Sequence, residues 1–404
     1  MKNEDIEHLY QDFILPTYKH LPICLVKGKG ARVWDLQNRE YLDFFPGWAV
    51  SGLGHCHPMV VHAIKEQARK MIHISNNFLN AKQAQLAARI VQDSFPSQIF
   101  FCNSGAESTE AAIKFARRYG SETERHEIVT MRLSFHGRTL GAVAATGQER
   151  IQKGYDPRLQ GFVYADMNDL ESVKKAIGSK TVAIFLEPIQ GEGGLTTASL
   201  DFMKGLRELC HQHDLLLMLD EVQTAMGRTG KLFAYQHYDI EPDVMTLAKS
   251  LGGGVPIGAL VVNRNIAKQV FEPGTHGSTF GGNPMVCAAS LAVFKAIQKE
   301  KLLTNAVRMG DYLGQKLEHL KRKYRIIEEI RGLALMRGLK LNVSGKHYVD
   351  KALEKGLLIN VTQETVIRIF PPLNVTKKLI DQAMKILDDV FYEVQIQSSV
   401  ENKT

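Results

Sequence analysis

The sequence LLLMLDEVQTAMGRTG, residues 215–230, begins with five consecutive apolar residues and then changes abruptly to the acid Asp220. An apolar run of this length without alternation predicts a β-strand that is covered on both faces. A carboxylate at the end of such a strand is costly to bury unless it has a partner. A protonated ring nitrogen of a ligand would be one such partner, and a helix cap or a structural ion pair would be another.

Five further apolar runs of strand length flank this one on both sides. They span residues 99–102, 128–131, 182–186, 244–247 and 259–262. Helical patterns lie between several of them, for example at 107–119 and 200–213. Alternation of buried strands with helices predicts an α/β fold, with a mostly parallel central sheet that helices cover on both sides.

The pattern changes after about residue 284. Long helices at 285–299 and 303–323 are followed by strand candidates at 326–342 and 366–370, and by a last helix at 376–395. We therefore expect a large α/β domain over 46–284 and a smaller α+β domain over 285–404. The first 45 residues are expected to pack with the smaller domain.

Composition places the chain among ordinary globular proteins. Of its 404 residues 44% are hydrophobic and 23% are charged, which excludes disordered and collagen-like classes. No run of about 18 apolar residues exists to span a membrane. The acidic N-terminus lacks the apolar segment of a secretory signal, and the five scattered cysteines include no CxxC pair. We therefore expect reduced thiols, a cytoplasmic location and no membrane partner.

The net charge of +7 raises the question of nucleic-acid binding. Lysine and arginine are spread along the chain, and the densest run, KLEHLKRKYR at 316–325, fits the solvated face of an amphipathic helix. Mild basicity also suits an enzyme that handles carboxylates and phosphates. We expect no nucleic-acid partner, and we keep such binding as the weaker alternative.

Ligands of open α/β sheets bind beyond the carboxyl ends of the strands, where this chain carries unusual residues. Ser104 and Gly105 follow one strand and open a helix, a pattern typical of phosphate sites but also of any capped helix. Lys249 follows another strand beside three glycines, where desolvation would lower its pKa for Schiff-base chemistry. Phe135 and Arg138 follow a third strand, where an aromatic ring can stack on a planar ligand and an arginine can clamp a carboxylate.

Two histidine-rich stretches resemble metal sites only superficially. In GHCHP at 54–58 the residues His55, Cys56 and His57 are consecutive, and adjacent residues on a strand or turn point apart and rarely bind one ion. No second ligand pair lies at zinc-site spacing. The pair at 211 and 213 has no carboxylate at ligand spacing. We expect no metal.

Six motifs in order carry a family resemblance: SGAE at 104–107, FHGRT at 135–139, EPIQGEGG at 187–194, DEVQTAMGRTG at 220–230, AKSLGGGVPIGA at 248–259 and HGSTFGGNP at 276–284. With these motifs the chain resembles the class III, fold-type-I aminotransferases that depend on pyridoxal 5′-phosphate. Within that family it is most similar to the acetylornithine aminotransferases. The resemblance extends from about residue 16 to residue 387.

The resemblance implies a set of cofactor-binding residues. Lys249 matches the lysine that binds the cofactor covalently and moves the proton, and Asp220 matches the acid that keeps the pyridine nitrogen protonated. The other residues implied are Gln223 near the ring hydroxyl, Val222 and Phe135 on the two ring faces, Ser104, Gly105 and Ala106 around the phosphate, and Thr279 on the phosphate of the neighbouring subunit. The last of these implies a homodimer with shared active sites.

The resemblance also implies substrate contacts. Arg138 matches the clamp for the substrate carboxylate, and Ser278 matches a further contact. Glu187 and Arg368 match a pair in which the glutamate neutralises the arginine until 2-oxoglutarate binds.

The expected reaction is transfer of the terminal amino group of N-acetylornithine to 2-oxoglutarate. The alternative within the class is another ω-aminotransferase, acting on ornithine, 4-aminobutyrate or a lysine-pathway intermediate. A lysine-dependent aldolase or a non-catalytic binding protein is disfavoured, because neither needs Asp220 or a phosphate cup. Trp48 lies where family members vary with their substrate, which leaves the amino donor open.

Overall fold

The computed structural model describes residues 2–268 and 270–401, without the side chains of 398–401. The strands of the described residues are β1 Leu25–Lys29, β2 Arg32–Asp35, β3 Glu40–Asp43, β4 Ser97–Cys102, β5 Glu127–Met131, β6 Phe162–Ala165, β7 Thr181–Leu186, β8 Ile189–Gln190, β9 Thr196–Thr197, β10 Leu216–Asp220, β11 Val244–Leu247, β12 Gly258–Asn263, β13 Ile327–Leu333, β14 Met336–Leu341, β15 Leu357–Leu358, β16 Asn360–Thr362 and β17 Val366–Ile369.

The α-helices of the described residues are α1 Asn3–Phe13, α2 Pro58–Ala68, α3 Ala81–Asp93, α4 Gly105–Tyr119, α5 Leu140–Ala145, α6 Glu149–Gln152, α7 Leu170–Ala176, α8 Leu200–Gln212, α9 Arg264–Ala267, α10 Pro284–Lys299, α11 Leu302–Lys323, α12 Lys346–Glu354 and α13 Lys377–Glu401. The long helices predicted in the C-terminal third are confirmed as α10, α11 and α13. All six predicted apolar runs are strands.

A central sheet of seven strands has the order β4-β12-β11-β10-β7-β5-β6. Its strands run parallel except for β12, which is antiparallel to both of its neighbours. The α/β class and the mostly parallel sheet are thus confirmed. Because β10 and β11 are parallel neighbours, the residues that follow them emerge side by side at one edge of the sheet.

Both faces of this sheet are buried, as the continuous apolar runs require. Successive residues of β10 point to opposite sides: Leu216 and Met218 join a core cluster with α4, whereas Leu217 and Leu219 join the larger core cluster with α8. The sheet is therefore a rigid platform from which the strand ends project.

Besides the central sheet, the described residues form two four-stranded sheets, which are mostly antiparallel, and the short antiparallel pair β8-β9. Strands β13, β14, β17 and β16 form one of them. The other has the order β1-β2-β3-β15, in which Leu42 of β3 pairs in parallel with Leu357 of β15. This pairing ties the beginning of the chain to its C-terminal third, and it supports our proposal that residues 1–45 pack with a smaller domain over 285–404, whose last three residues lie outside the described chain.

The first helix is packed differently from the others. Within the described chain, no residue of α1 is buried, and every residue from 11 to 22 is exposed. Among the described helices, none is both long enough and apolar enough to cross a membrane.

Candidate active site

A cavity of about 490 Å³ opens where the parallel strands β10 and β11 end. Many of the residues singled out in the sequence line it: Ser104, Gly105, Ala106, Phe135, Arg138, Glu187, Asp220, Val222, Gln223 and Lys249. Residues that lie up to 145 positions apart in the chain thus meet in one place, because neighbouring strands and the loops after them share one edge of the sheet.

Lys249 follows β11 and adopts a left-handed backbone conformation with φ of 46°. Such a conformation is unusual for a residue with a side chain, and strained residues of this kind cluster at functional sites. Burial lowers the pKa of the Lys249 ammonium, while the carboxylates of Glu192 and Asp220 partly oppose that shift. The geometry therefore favours a lysine that exchanges its proton readily.

Asp220, the last residue of β10, is held by two donors on its buried carboxylate. One oxygen lies 2.7 Å from Nδ1 of His136, and the other accepts the backbone N–H of Val222 at 3.0 Å. The imidazole of His136 is itself fixed, because it stacks on Phe185 with ring centroids 4.2 Å apart. Asp220 therefore keeps one orientation in the cavity.

The N-terminus of α4 forms one wall of the cavity. Ser104 caps the helix, since its hydroxyl accepts the N–H of Glu107 at 3.2 Å. The N–H groups of Gly105 and Ala106 lie in the first turn, where a helix can bind an anion with free donors and its dipole. A Cβ at Gly105 would meet Val222 at 2.9 Å, so only glycine allows the helix end to lie this close to the cavity wall.

Phe135, Val222 and Gln223 complete a site for a flat polar ring. Gln223 lines the cavity, and its buried Oε1 has no hydrogen-bond partner among the described residues. An apolar pair of walls, a helix end for a phosphate, a buried acid and a lysine are the groups that pyridoxal phosphate needs. The residues present therefore fit this cofactor.

Arg138 stands exposed at the cavity mouth, with its guanidinium 5.6 Å from the ring centroid of Phe135. The helix that follows it, α5, is anchored by Glu110 of α4. One oxygen of Glu110 accepts the N–H of Gly141 at 2.9 Å and the hydroxyl of Thr139 at 2.5 Å. The segment that carries Arg138 is thus fixed to the helix that carries the phosphate-type site.

Arg368 does not form the predicted ion pair with Glu187. It lies fully buried on β17, and its Nη1 lies 2.5 Å from a carboxylate oxygen of Glu192 and 2.9 Å from the carbonyl of Gly191. The two glutamates are five residues apart in EPIQGEGG. Between the two glutamates the chain forms β8 and then enters a turn. The turn directs Glu192 toward Arg368.

Glu187 instead forms hydrogen bonds with the backbone of two loops. Its carboxylate accepts the N–H of Phe135 at 2.9 Å and that of Gly191 at 3.1 Å. Burial, together with the negative charge of Asp220, raises the pKa of Glu187 well above its usual value.

Ser278 and Thr279 lie outside this cavity, in a neighbouring cleft on the protein surface. The hydroxyl of Ser278 accepts the side-chain amide of Asn103 at 3.0 Å, which links this loop to the start of α4. Thr279 is exposed.

The two histidines of GHCHP each pair with a carboxylate rather than with one another. His55 lies 2.7 Å from Asp43, and His57 lies 3.1 Å from Glu300. In the part of the chain that the structure describes, no group of three or more potential ligands could hold a metal ion.

The sequence did not predict the contacts of two residues, His136 and Glu192. His136 stands in the quoted FHGRT motif, but nothing in the sequence indicates that it contacts Asp220, 84 residues away. Glu192 stands in EPIQGEGG, where its distance from Glu187 gives no sign of which one faces Arg368.

The fold and the cavity together define an enzyme of the fold-type-I class, which uses pyridoxal phosphate to transfer amino groups. The family model of the class-III aminotransferases matches residues 13–391, and the chain belongs to this family. It is a pyridoxal-phosphate-dependent aminotransferase.

Relatives and solved structures agree with this assignment. The chain is 50% identical over 387 residues to the acetylornithine aminotransferase of Caldanaerobacter subterraneus, covering 95% of this chain and 98% of that one. The ornithine aminotransferase of Toxoplasma gondii superimposes with a TM-score of 0.93 at 32% identity, covering 98% and 96% of the two chains. The N-acetylornithine aminotransferase of Stenotrophomonas maltophilia superimposes with a TM-score of 0.83 at 36% identity, covering 96% and 99%.

Proposed function

We propose that this aminotransferase moves the terminal amino group of N-acetylornithine to 2-oxoglutarate, which yields N-acetylglutamate semialdehyde and glutamate, as arginine biosynthesis requires. The observation that carries the choice of donor is the 50% identity to an acetylornithine aminotransferase over nearly the whole of both chains. The site supports an amino donor that has one carboxylate for Arg138 and no second anionic group, because Glu192 already pairs with Arg368.

The cofactor supplies an electron sink for the carbon that loses its proton. Lys249, just beyond the end of β11, would bind the cofactor covalently and then move the proton, which its lowered pKa facilitates. Asp220, oriented by His136, would pair with the protonated ring nitrogen. Gly105 and Ala106 would hold the phosphate with backbone N–H groups, and Phe135 and Val222 would exclude water from the two ring faces.

The two half-reactions set opposite demands on one cavity. Only 2-oxoglutarate brings a second carboxylate, so a second cation must be masked while N-acetylornithine is bound. We assign the masking role to Glu192, because it holds the buried guanidinium of Arg368 at 2.5 Å and also lines the cavity. Release of Arg368 by Glu192 would then accommodate the dianion.

We also propose a homodimer with shared active sites. Thr279 is exposed and lines the neighbouring cleft instead of the chain's own cavity, which supports a role on the phosphate of a second copy. The cytoplasm is the proposed location, in keeping with five cysteines that form no disulfide in the described chain.

Ornithine is the second candidate donor, favoured by the TM-score of 0.93 to an ornithine aminotransferase. A screen of donors with 2-oxoglutarate as the acceptor separates the two. We expect the kcat/KM of N-acetylornithine to exceed that of ornithine and 4-aminobutyrate by at least about tenfold. A reversed order would assign the enzyme to the alternative, and no glutamate formation from any donor would contradict the proposed reaction.

A further inference from the structure

The buried guanidinium of Arg368 is held by acceptors of two kinds. One acceptor is charged, the carboxylate of Glu192, which lies 2.5 Å from Nη1. The others are neutral: the carbonyl of Gly191 accepts from Nη1 at 2.9 Å, and Oδ1 of Asn360 accepts from Nε at 2.9 Å and also from Nη2. Within the described residues, Glu192 is the one carboxylate at ion-pair distance from Arg368. A single side chain therefore pairs with this charge.

Asn360 lies directly opposite Arg368 in the small sheet. Strand β16 is antiparallel to β17, and in their register Asn360 is the partner of Arg368. Side chains of directly opposite residues lie on one face of a sheet within contact distance. The half-buried amide thus reaches the edge of the guanidinium that carries Nε and Nη2, whereas Nη1 bonds to Glu192. The neutral and the charged acceptor occupy different sides of one planar group.

Aromatic rings restrain the flat face of the same guanidinium. Its central carbon lies 4.6 Å from the ring centroid of Phe45 and 5.9 Å from that of Phe370. An aromatic face attracts a cation although the ring itself has no net charge. The position of Arg368 is therefore restrained at one edge and on one face by groups that do not neutralise it.

Strand β16 and the residue after it also hold the backbone of Glu192. The carbonyl oxygen of Glu192 accepts the hydroxyl of Thr362 at 2.7 Å and the side-chain amide of Gln363 at 2.8 Å. The carboxylate of Glu192 reaches Arg368 from the lining of the cavity. Because its backbone is fixed, this carboxylate can leave Arg368 by rotation of the side chain alone.

We propose that Asn360 is a positioning residue, which orients Arg368 for the second carboxylate of 2-oxoglutarate without neutralising it. Buried charges usually pair with an opposite charge, but a neutral amide occupies the Nε edge here. The charge of Arg368 is then available to an anion once Glu192 moves away. Since Asn360 keeps its hydrogen bonds in both states, the guanidinium is preorganised for the anion. This inference rests on the proposed function and adds the residue that orients the arginine.

The variant Asn360→Asp tests the proposal, because it adds a negative charge beside Arg368 with almost no change of shape. Arg368 should then stay paired after Glu192 leaves. The half-reaction of 2-oxoglutarate should slow about 10- to 100-fold, the effect of losing one charged hydrogen bond. The half-reaction of N-acetylornithine, which brings no second carboxylate, should be nearly unchanged. Stopped-flow kinetics of the holoenzyme give both rates.

The matched control is Asn342→Asp, which makes the same change at an exposed asparagine directly after β14. It should leave both half-reactions unchanged. If Asn360→Asp slows both half-reactions equally, or slows neither, the proposal is wrong and Asn360 only supports the packing of the small sheet.

A second measurement does not depend on turnover. Glutarate and pentanoate have carbon chains of equal length, but only glutarate carries a second carboxylate. In Asn360→Asp the dissociation constant of glutarate from the holoenzyme, measured by calorimetry, should rise about 10- to 100-fold. That of pentanoate should stay the same, which also shows that the variant is folded. An equal rise for both ligands would overturn the proposal.

The variant Asn360→Ala separates orientation from charge, because it removes the acceptor and adds no carboxylate. It should also weaken glutarate relative to pentanoate, and equal affinities to those of the wild type would contradict an orienting role. A wild type that does not convert N-acetylornithine would refute the proposed donor and leave the comparison of glutarate with pentanoate intact.

Discussion

Asp220 presents a single carboxylate at the end of β10, and almost all of its surface is buried. The N–H of Val222 and the imidazole of His136 stabilise it from two sides. His136 has no access to solvent and stacks on Phe185, so its position is determined by the core rather than by the ligand. The orientation of the proposed catalytic acid thus depends on a histidine whose own side chain is buried in the core.

His136→Phe should therefore reduce kcat about 10²- to 10³-fold, since it keeps the ring on Phe185 but removes the donor to Asp220. His136→Asn, whose amide can occupy the place of Nδ1, should recover most of that loss. The pH at which the visible absorption of the bound cofactor titrates should shift in the phenylalanine variant and not in the asparagine one. Equal losses in both variants, with no spectral shift, would make His136 a packing residue only.

The pair of Arg368 and Glu192 gives a second prediction at this scale. Glu192→Gln should unmask Arg368, so glutamate should become a better amino donor and N-acetylornithine a poorer one. Arg368→Ala should slow the half-reaction of 2-oxoglutarate about 10- to 100-fold, the effect of losing a charged hydrogen bond, and spare the other half. Stopped-flow measurement of each half-reaction separately tests the expectations for both variants.

Glu187→Gln is the matched control for that experiment. Because Glu187 braces the backbone of Phe135 and Gly191, its loss should affect both half-reactions alike. If Glu192→Gln also slows both halves equally, then Glu192 does not act as a switch and only holds Arg368 in the fold.

Among the elements, α5 begins two residues after Arg138, the proposed clamp for the substrate carboxylate. Its first residues lack a cap from Thr139, the residue before them, and depend instead on Glu110 of α4. An acid at a helix N-terminus is stabilising, since it accepts the free N–H groups there. The location of Arg138, two residues before α5, thus depends on a contact between two helices.

Glu110→Ala should raise the KM of both carboxylate substrates about tenfold while kcat falls less, because Arg138 would lose its fixed position. Glu110→Gln keeps the accepting oxygen and should restore KM. Steady-state kinetics with N-acetylornithine and 2-oxoglutarate measure both constants. A fall in kcat alone, or no recovery in the glutamine variant, would contradict this role.

The elements also show where sequence information is sufficient. Strands such as β7, buried along its whole length, are recognisable because every residue is apolar or nearly so. Strand β6 was not predicted, since it is a short edge strand that is only half-buried. The amino-acid composition of β12 does not indicate that this strand is antiparallel to its neighbours. Lys249 and Asp220 were predictable because the carboxyl ends of parallel strands lie at the same edge of a sheet. The carboxylate that pairs with Arg368 was not predictable, because it depends on the path of the two-residue strand β8 and the turn after it.

At the scale of the whole molecule, the free energy of unfolding should depend on the protonation of a carboxylate that does not line the active-site cavity. Glu221 is fully buried and accepts the N–H groups of Ala234 and Tyr235 at 2.7 Å. Burial raises its pKa from the usual 4.5 to about 7. Since the folded state holds this proton more tightly than the unfolded state, the stability it contributes at low pH is lost as the pH rises through about 7.

Glu221→Gln should remove this pH dependence. Between pH 4.5 and 7.5 the free energy of unfolding of the wild type should fall relative to that of the variant by about 3 kcal/mol. Urea unfolding at several pH values measures the difference, in which the titration of Glu187 cancels because both proteins contain it. Parallel stability curves for the two proteins would show that Glu221 does not titrate in this range.

The pairing of β3 with β15 has a consequence for how the chain is made. Leu42 can pair with Leu357 only after Leu357 has been synthesised. At a synthesis rate of about 5–20 residues per second, this happens roughly 15 to 60 s after the synthesis of Leu42. The central sheet, whose last strand in the chain ends at Asn263, can close well before then. Strands β1 to β3 can pair with one another early, but their sheet gains its fourth strand only after the central sheet has been synthesised.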